Sequence, residues 1–257
     1  MSANPSRPHN SDESFSNLES RSLTDVAASR WNDFARTDAY TYIKTDLPRG
    51  DRRAFWQSGE TTVSEDLLPV IRKHAVPLGA ALEIGCGVGR LVFPMACHFA
   101  WVLGLDIAPE MTRQAAALAA EKKVSNVRFF TLAEYERCPG DFAQLQGSVD
   151  FIYSLIVFQH VADFSSIDAH LQLISRLLST QGAAYLQFDT RPLTIPYRVK
   201  TALPDFVLPR FWRRGIRRIR RSADELETSF ANCNLAIVES LGCRTEYHRY
   251  VLRKGKG

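Results

Sequence analysis

The sequence predicts an α/β fold built on a doubly wound, mostly parallel sheet with helices on both faces. From residue 80 onward, short and mainly apolar segments of strand type alternate with segments of helical periodicity. Mainly apolar strands are typical of parallel sheets that are buried on both faces, and right-handed crossovers place the connecting helices on both sides. The predicted strands are AALEI, WVLGL, NVRFF, VDFIYS and AAYLQF, and the helices between them are LVFPMACHF, PEMTRQAAALAAEKK and SSIDAHLQLISRLL.

The chain before residue 79 is predicted to be an extension of a different character. Residues 1–22 are rich in Ser, Asn and Pro and poor in large apolar residues, so they are predicted to form a disordered tail. Residues 23–78 are predicted to be a helical extension, in which Val26, Trp31 and Phe34 recur at helical spacing. The main domain is predicted to occupy residues 79–257.

Four features are predicted at the limits of the core. In the extension, Pro69 is expected to bend or restart a second helix. After the fifth strand, residues 190–221 are too long and too rich in proline and arginine for a simple connection, so they are predicted to be an insertion. A helix then restarts near Ser222, which has capping-box spacing to Glu225. The last two strands, LAIVESL and TEYHRYVLR, are expected to pair as a hairpin around Gly242.

Composition limits the class of protein. The 257-residue chain is 45% hydrophobic with a formal net charge of +4, and no apolar run approaches the roughly 20 residues of a membrane span. The first residues lack the basic-then-apolar pattern of a secretory leader. Five cysteines are scattered without a Cys-x-x-Cys pair, so neither a disulfide framework nor a metal site is predicted, and a cytoplasmic location is expected.

Three glycines mark the first strand-to-helix junction. Gly85, Gly87 and Gly89 follow the first predicted strand, where glycine permits a tight turn and lets a ligand lie against bare backbone. Arg90 occupies the last place of the dinucleotide pattern Gly-x-Gly-x-x-Gly, and no Gly-Lys-Ser/Thr follows for a phosphate loop. The glycines alone are also compatible with a plain turn.

Two acidic residues accompany the glycine loop. Glu83 precedes it, and Asp106 ends the next strand in VLGLDIAPEM. A carboxylate at the end of a second strand can accept hydrogen bonds from both hydroxyls of a ribose. The alternative for Asp106 is a helix N-cap or a solvated loop.

The stretches ALEIGCGVGRL and VLGLDIAPEM resemble the first two motifs of class I S-adenosylmethionine-dependent methyltransferases of the small-molecule kind, over about residues 80–189. The resemblance implies a Rossmann-like sheet of seven strands whose last strand is antiparallel, and S-adenosyl-L-methionine as the cofactor. It also implies that the glycine loop passes beneath the methionine part of the cofactor, that Glu83 holds the amino group and that Asp106 binds the ribose. The residues predicted to bind the cofactor are Glu83, Gly85, Cys86, Gly87, Arg90, Asp106, Ile107, Met111, Ala133, Glu134 and Ser154.

The chain departs from the family after its third strand. Leu132 and Ala133 stand where the family usually has a Gly-Asp pair whose Asp contacts the adenine amino group. Backbone groups at Ala133 or the side chain of Glu134 are the predicted replacements.

His160 is the candidate catalytic residue. It lies just beyond the fourth strand, and a histidine can act as a general base toward a hydroxyl or amine. The alternative is a structural role at the start of the following helix. The Ser154-Leu155 turn is not of the Asn/Asp-Pro-Pro-Tyr type, which argues against methylation of nucleobase amines.

Two segments are candidates for contact with the acceptor. Trp31 and Tyr42 belong to an aromatic stretch that is predicted either to cover an apolar acceptor pocket or to pack on the sheet edge. In the basic stretch of residues 210–221, Arg213, Arg214 and Arg217 are predicted to bind an anionic group of the acceptor. Solvated basic residues and a contact with a membrane surface or nucleic acid are the alternatives, of which nucleic acid is not favoured.

The function predicted from the sequence is therefore S-adenosylmethionine-dependent methylation of a small molecule, with a hydroxyl favoured slightly over an amine. An NAD(P)-dependent Rossmann oxidoreductase and a catalytically silent cofactor-binding scaffold remain open. A methyltransferase acting on RNA or protein is supported by the arginine cluster alone. The sequence does not define the acceptor or the oligomeric state.

Overall fold

A computed structural model describes residues 12–203 and 218–255, with the backbone alone for residues 12–24 and 200–202. The described residues form a sheet of seven strands in the order β3-β2-β1-β4-β5-β7-β6. Only β7 in this sheet is antiparallel, to both β5 and β6, which confirms the predicted fold. The strands are β1 Ala80–Ile84, β2 Trp101–Asp106, β3 Val127–Thr131, β4 Val149–Ser154, β5 Leu178–Phe188, β6 Leu235–Leu241 and β7 His248–Lys254.

Helices precede, connect and cover these strands. The α-helices are α1 Asp12–Ile43, α2 Arg52–Thr62, α3 Leu68–Lys73, α4 Val92–Met95, α5 Pro109–Glu121, α6 Leu132–Arg137, α7 Phe164–Leu177, α8 Ile195–Ala202 and α9 Ala223–Asn232. A π-helical turn, Val63–Leu67, joins α2 to α3, and Pro69 lies in the first turn of α3, where its missing N–H costs nothing. The helical segment therefore restarts where Pro69 predicts. Within the described residues, no helix combines the length and apolar character needed to cross a bilayer.

The two faces of the sheet bury separate apolar clusters. Because side chains alternate along a strand, Leu82 and Ile152 face the cluster under α7 and α9, whereas Phe151 and Tyr153 face the cluster under α3 and α4. These strand residues are fully buried. Burying a side chain such as Leu82 stabilises the fold by about 2 kcal/mol. The sheet is thus a rigid platform for whatever binds at its edge.

The strand order reverses between β1 and β4. Crossovers lead outward from β1 to β2 and β3 on one side and to β4 and β5 on the other. In doubly wound sheets such a reversal opens a crevice at the carboxyl ends of the strands. The crevice lies directly beyond the glycine loop, between Ile84 and Ser154.

Helix α1 is longer than predicted and is kinked. It begins at Asp12, inside the segment for which the sequence predicts a disordered tail, while residues 1–11 lie outside the described residues. At Asp38 the backbone leaves helical geometry (φ −169°, ψ 79°). The Asp38 carboxylate accepts hydrogen bonds from the backbone N–H of Thr41 (3.3 Å) and its hydroxyl (2.7 Å). Asp38 therefore acts as an N-cap for the last turn of α1.

The predicted capping box at Ser222 is not formed. Ser222 is the N-cap of α9, but its side chain makes no capping hydrogen bond. A capping box occurs instead at the start of α6, between Thr131 and Glu134. Spacing brings the two side chains within reach, but the rotamer that completes the box depends on the surrounding contacts.

Candidate active site

A cavity of about 610 Å³ lies between the carboxyl ends of the strands and helix α1. This volume is within the range that small-molecule and cofactor sites occupy. Its lining combines residues from the extension, the glycine loop, the ends of β2, β3 and β4, and the start of α7. The lining residues are Val26, Ala27, Arg30, Trp31, Tyr42, Ile43, Glu83, Ile84, Gly85, Cys86, Gly87, Arg90, Leu105, Asp106, Ile107, Met111, Leu132, Leu155, Ile156, Val157, His160, Val161, Ala162, Asp163, Ser166 and His170.

The glycine loop is shaped by close approach of neighbouring side chains. Gly85 and Gly87 have φ of +76° and +53°, in the left-handed region that favours glycine. A Cβ on Gly85 would lie 2.4 Å from Cγ2 of Val157, and one on Gly87 would lie 2.6 Å from Cδ1 of Ile43. Glycine is therefore required here by both backbone conformation and space.

Glu83 lies at the floor of the cavity and is buried. Its Oε2 atom has no hydrogen-bond partner among the described residues. Burial raises the pKa of Glu83 well above its usual range, Asp106 raises it further, and the positive charge of Arg90 opposes both. A buried carboxylate oxygen without a donor fits a ligand that brings a cation or N–H group to this point.

Arg90 connects the loop to helix α2. Its Nη1 donates to the hydroxyls of Ser58 and Thr62, both at 3.3 Å. Helix α2 comes this close because of Gly59, where a Cβ would lie 2.2 Å from the carbonyl oxygen of Arg90. Burial lowers the pKa of Arg90, and the negative charge of Glu83 acts against that shift. The guanidinium thus supplies a counter-charge to Glu83.

Asp106 organises the loop from the end of β2. Its Oδ2 accepts the backbone N–H of Gly87 and its Oδ1 accepts that of Ala108, both at 2.9 Å. Burial raises the pKa of Asp106, and the backbone hydrogen bonds act against that rise. Each carboxylate oxygen can accept a further hydrogen bond, so the side chain can both fix the loop and bind two ligand hydroxyls.

Aromatic rings form the other end of the cavity. Trp31 meets His160 edge-on, with ring centroids 6.1 Å apart and an interplanar angle of 69°. Tyr42 stacks on Phe34 at 3.9 Å and 13°. Flat, mainly apolar walls of this kind suit a flat or apolar acceptor.

The loop that carries His160 is tied to the end of the insertion. His160 belongs to a 3-10 turn, Phe158–His160, and the backbone N–H of Ile219 donates to the carbonyl oxygen of Gln159 at 2.7 Å. Nη2 of Arg221 donates to the carbonyl oxygens of Val161 (2.9 Å) and Ala162 (3.0 Å). The described end of the insertion therefore helps to shape the wall of the cavity beside His160.

Most of the residues predicted for the site line this cavity, but not all. Ser154 is buried below it and donates to the carbonyl oxygen of Ile84 at 2.9 Å. Ala133 and Glu134 are not among the lining residues, and the Glu134 carboxylate is engaged in the capping box of α6. Arg213, Arg214 and Arg217 lie outside the described residues. The predicted residues that line the cavity are Trp31, Tyr42, Glu83, Gly85, Cys86, Gly87, Arg90, Asp106, Ile107, Met111 and His160.

Several lining residues were not predicted. Arg30 directly precedes Trp31, which is predicted to contact the acceptor. Its position in the same aromatic helical segment is the sequence feature that could have predicted it. Ser166 and His170 lie on α7, where the amphipathic pattern indicates packing rather than binding. Ile156 has φ +63°, an outlier for a β-branched residue, and no sequence pattern predicts it.

Comparison with known proteins agrees with this geometry. Residues 81–182 match the model of a methyltransferase domain. The ubiquinone biosynthesis O-methyltransferase of Brucella ovis is 27% identical over 163 residues, covering 63% of this chain and 61% of the relative. The trans-aconitate 2-methyltransferase of Deinococcus radiodurans is 32% identical over 124 residues, covering 48% of this chain and 40% of the relative. The chain thus spans less than two thirds of the length of these relatives.

Among solved structures, magnesium protoporphyrin IX methyltransferase from Synechocystis with bound S-adenosylhomocysteine has a TM-score of 0.61. It is 20% identical, and the alignment covers 90% of this chain and 97% of that one, so it shares the fold. The matched domain, the strand order and the cavity agree with the resemblance to class I S-adenosylmethionine-dependent methyltransferases. S-adenosylmethionine is the cofactor of this family, as the resemblance of the two motifs implies.

Proposed function

We propose that this chain transfers the methyl group of S-adenosylmethionine to a hydroxyl oxygen of a small-molecule acceptor. The observation that carries the proposal is the continuity of the cavity, which reaches from Glu83 and Asp106 to His160 beneath helix α1. A cofactor at one end and an acceptor at the other would meet in one enclosed space. Enclosure favours methyl transfer because it aligns the reacting atoms and excludes water.

The cofactor end fits S-adenosylmethionine. The unpartnered Oε2 of Glu83 would accept a hydrogen bond from the ammonium group, and the bare backbone of Gly85 and Gly87 would lie against the methionine chain. Asp106 would accept hydrogen bonds from the ribose hydroxyls. When bound, the cofactor supplies an activated methyl group, so the protein needs no nucleophile of its own.

His160 is the proposed general base. A hydroxyl oxygen that forms a bond to the methyl carbon, as the sulfur–methyl bond breaks, must also lose its proton, and a neutral imidazole can accept it. The edge contact with Trp31 and the backbone hydrogen bond from His160 N–H to the Val157 carbonyl oxygen (2.8 Å) hold this residue at the cavity wall. The ubiquinone biosynthesis relatives, which are O-methyltransferases by name, support an oxygen acceptor.

We also propose roles for the two flanking segments. Helix α1 would act as a lid whose Trp31 and Tyr42 contact the acceptor. The insertion, residues 190–221, would lie on the substrate side, and Arg213, Arg214 and Arg217 would bind an anionic group there. Neutralising these three arginines together is expected to raise the acceptor KM about tenfold without changing cofactor affinity.

A carboxylate is the second candidate acceptor. Arg30 places a cation in the wall of the cavity, and one relative bears the name trans-aconitate 2-methyltransferase. A carboxylate is already ionised at neutral pH, so its methylation would not need His160 as a base. This difference separates the two candidates.

The test is a transfer assay with tritiated S-adenosylmethionine and panels of phenols, carboxylic acids and amines. We expect methylation of phenols, with kcat about 100-fold lower in His160→Gln and unchanged in His98→Gln, which alters an exposed histidine. If carboxylic acids are methylated and His160→Gln does not lower that rate, the acceptor group is a carboxylate and not a hydroxyl. Absence of S-adenosylhomocysteine binding in calorimetry would overturn the proposed function.

A further inference from the structure

The acidic residue that the resemblance to methyltransferases leads us to expect at the adenine end of the cavity is replaced by Ala133, beside Leu132. Leu132, which stands near the expected Asp position, lines the cavity with an apolar side chain. The next acid along the chain, Glu134, uses Oε2 to accept hydrogen bonds from the backbone N–H (2.6 Å) and the hydroxyl (3.0 Å) of Thr131. The cavity-lining Asp163 accepts from the hydroxyls of Ser165 (2.6 Å) and Ser166 (2.9 Å). The exocyclic amino group of an adenine bound here therefore needs another acceptor.

His170 has a fixed acceptor atom in the same cavity. Its Nδ1 lies 2.6 Å from the carbonyl oxygen of Ser166, one helical turn earlier on α7. Because a carbonyl can only accept, Nδ1 carries the proton, and Nε2 of the neutral ring keeps its lone pair. Phe158 holds the ring edge-on, with centroids 5.7 Å apart at 89°. The tautomer and the orientation of the imidazole are thus set before any ligand binds.

The position of His170 points to the nucleobase. The strand order places β2 between β1 and β3, so a nucleoside that binds Asp106 through its ribose and Glu83 through its amino-acid part extends its base toward the end of β3. His170 lines the same cavity as Leu132, the residue that directly follows β3. Ile107 and Leu132 line the same region and suit the faces of a flat ring.

We propose that His170 recognises the adenine of the cofactor, with its Nε2 accepting a hydrogen bond from the exocyclic amino group. This inference rests on the proposed function, since it needs an adenosine ligand in the cavity. It makes His170 a specificity-determining residue. Adenine presents an N–H donor at its 6-position, whereas hypoxanthine presents a carbonyl oxygen that would face the Nε2 lone pair without a hydrogen bond.

Protonation of His170 should reverse this preference. Burial lowers the pKa of His170, while the carbonyl of Ser166 and the negative charges of Glu136 and Asp163 act against that shift. The other charged or titratable groups of this part of the cavity wall are Arg30 and His160. The ring is therefore a neutral acceptor at pH 7, and acidification converts Nε2 into a donor that suits a carbonyl oxygen.

The experiment is calorimetry of the full chain with S-adenosylhomocysteine and S-inosylhomocysteine at about pH 7.5. We expect the wild type to prefer the adenosine ligand about tenfold, as one unmade buried hydrogen bond implies. His170→Leu should bind both ligands equally, with the adenosine ligand bound about tenfold more weakly than in the wild type. His170→Gln should bind both comparably and more tightly than His170→Leu, because its amide can turn to donate or accept.

The outcomes separate the inference from the proposed function. A wild-type preference retained in His170→Leu would overturn the assignment of His170 and leave the methyltransferase function intact. Failure of the wild type to bind either ligand would overturn both. Should His170→Leu not fold, His170→Gln decides: it should bind both ligands comparably, and a wild-type preference retained in His170→Gln contradicts the role of His170.

Discussion

At the scale of single residues, the proposed cofactor end of the cavity holds two buried carboxylates, Glu83 and Asp106, and the buried cation Arg90. Glu83 and Asp106 both have raised pKa values because of burial, and Arg90 acts against the rise at Glu83. Burying an ionised carboxylate is costly unless a partner compensates it. The free protein is therefore poised to gain from a ligand cation beside Glu83.

Binding of S-adenosylhomocysteine should release a proton from this site. The ligand ammonium stabilises the ionised form of Glu83, so its raised pKa falls on binding and a proton passes to the buffer. Calorimetry at about pH 6 in two buffers of different ionisation enthalpy should therefore give different binding enthalpies. Glu83→Gln should abolish the difference and weaken binding about tenfold.

Glu110→Gln is the control for this measurement. Its hydrogen bonds to Arg113 already hold the pKa of Glu110 at about 2, so it carries no proton to release. Equal enthalpies in both buffers with the wild type would show that Glu83 does not hold the ligand cation.

The glycine loop gives a second residue-scale prediction. Gly85→Ala combines a positive φ with a Cβ 2.4 Å from Val157, whereas Gly50→Ala has a similar φ of +82° and no atom within 4 Å. Gly50→Ala should cost about 1 kcal/mol of unfolding free energy in urea, from backbone strain alone. Gly85→Ala should cost about 2 kcal/mol more and abolish S-adenosylhomocysteine binding. Equal costs in the two variants would mean that Val157 moves aside freely.

The loop residues could be predicted from sequence because their geometry is local. A strand end, a glycine turn and a helix start lie within a few residues of one another, so Glu83, Gly85 and Gly87 line the same cavity. His170 could not be predicted in this way. Its contact with the cavity depends on how α7 packs against β5 and helix α1, and its spacing within α7 indicates only an amphipathic helix.

At the scale of elements, helix α1 is held over the cavity by hydrogen bonds to α5. The amide oxygen of Asn32 accepts the backbone N–H of Glu110 at 2.8 Å. Nε2 of Gln114 donates to the carbonyl oxygen of Ala35 at 2.9 Å. These bonds, together with the buried Phe34 and Ala39, dock the part of α1 that forms the roof.

Gln114→Ala should loosen this roof without unfolding the sheet. Losing the bond to Ala35 removes about 1 kcal/mol of docking energy, so amide hydrogen exchange in α1 should rise about fivefold. Affinity for S-adenosylhomocysteine should fall about threefold. The control is Gln144→Ala, since exposed Gln144 bonds only locally to the carbonyl oxygen of Asp141. Unchanged exchange in α1 would show that its docking does not depend on Gln114.

The elements differ in how far sequence predicts them. The strands of the parallel sheet were predictable because burial on both faces requires apolar runs, as in β1 and β4. The start of α1 was not, because residues 12–22 lack the apolar periodicity that marks a helix. The sequence pattern also does not predict the π-helical turn Val63–Leu67, because a π-helix differs from an α-helix by only one residue in its hydrogen-bond register.

At the scale of the whole molecule, the antiparallel strand β7 closes the sheet around a buried histidine. His248 is fully buried, with Nδ1 2.8 Å from the hydroxyl oxygen of Thr190 and Nε2 2.7 Å from that of Ser240. This contact joins the start of the insertion to β6 and β7. Burial lowers the pKa of His248, so the folded protein favours the neutral ring.

The stability contributed by neutral His248 should be lost on acidification. An unfolded histidine has a pKa of about 6.5, so below this pH the unfolded chain binds a proton that folded His248 resists. Stability is therefore present above about pH 6.5 and falls toward the lowered folded pKa, by at most about 1.4 kcal/mol per pH unit. His170 adds a loss of the same sign, whereas Glu83 and Asp106, with raised pKa values, regain stability as pH falls.

Because these groups act in opposite directions, the wild-type profile alone does not isolate His248. The informative quantity is the difference in unfolding free energy between the wild type and His248→Gln at each pH, in which distant groups cancel. That difference should shrink as pH falls from about 7.5 to 5.5, because glutamine can bridge the two hydroxyls without titrating. His98→Gln, at an exposed position, should give a difference independent of pH. A constant difference for His248→Gln would mean that the folded protein accommodates the protonated ring between Thr190 and Ser240 at no cost.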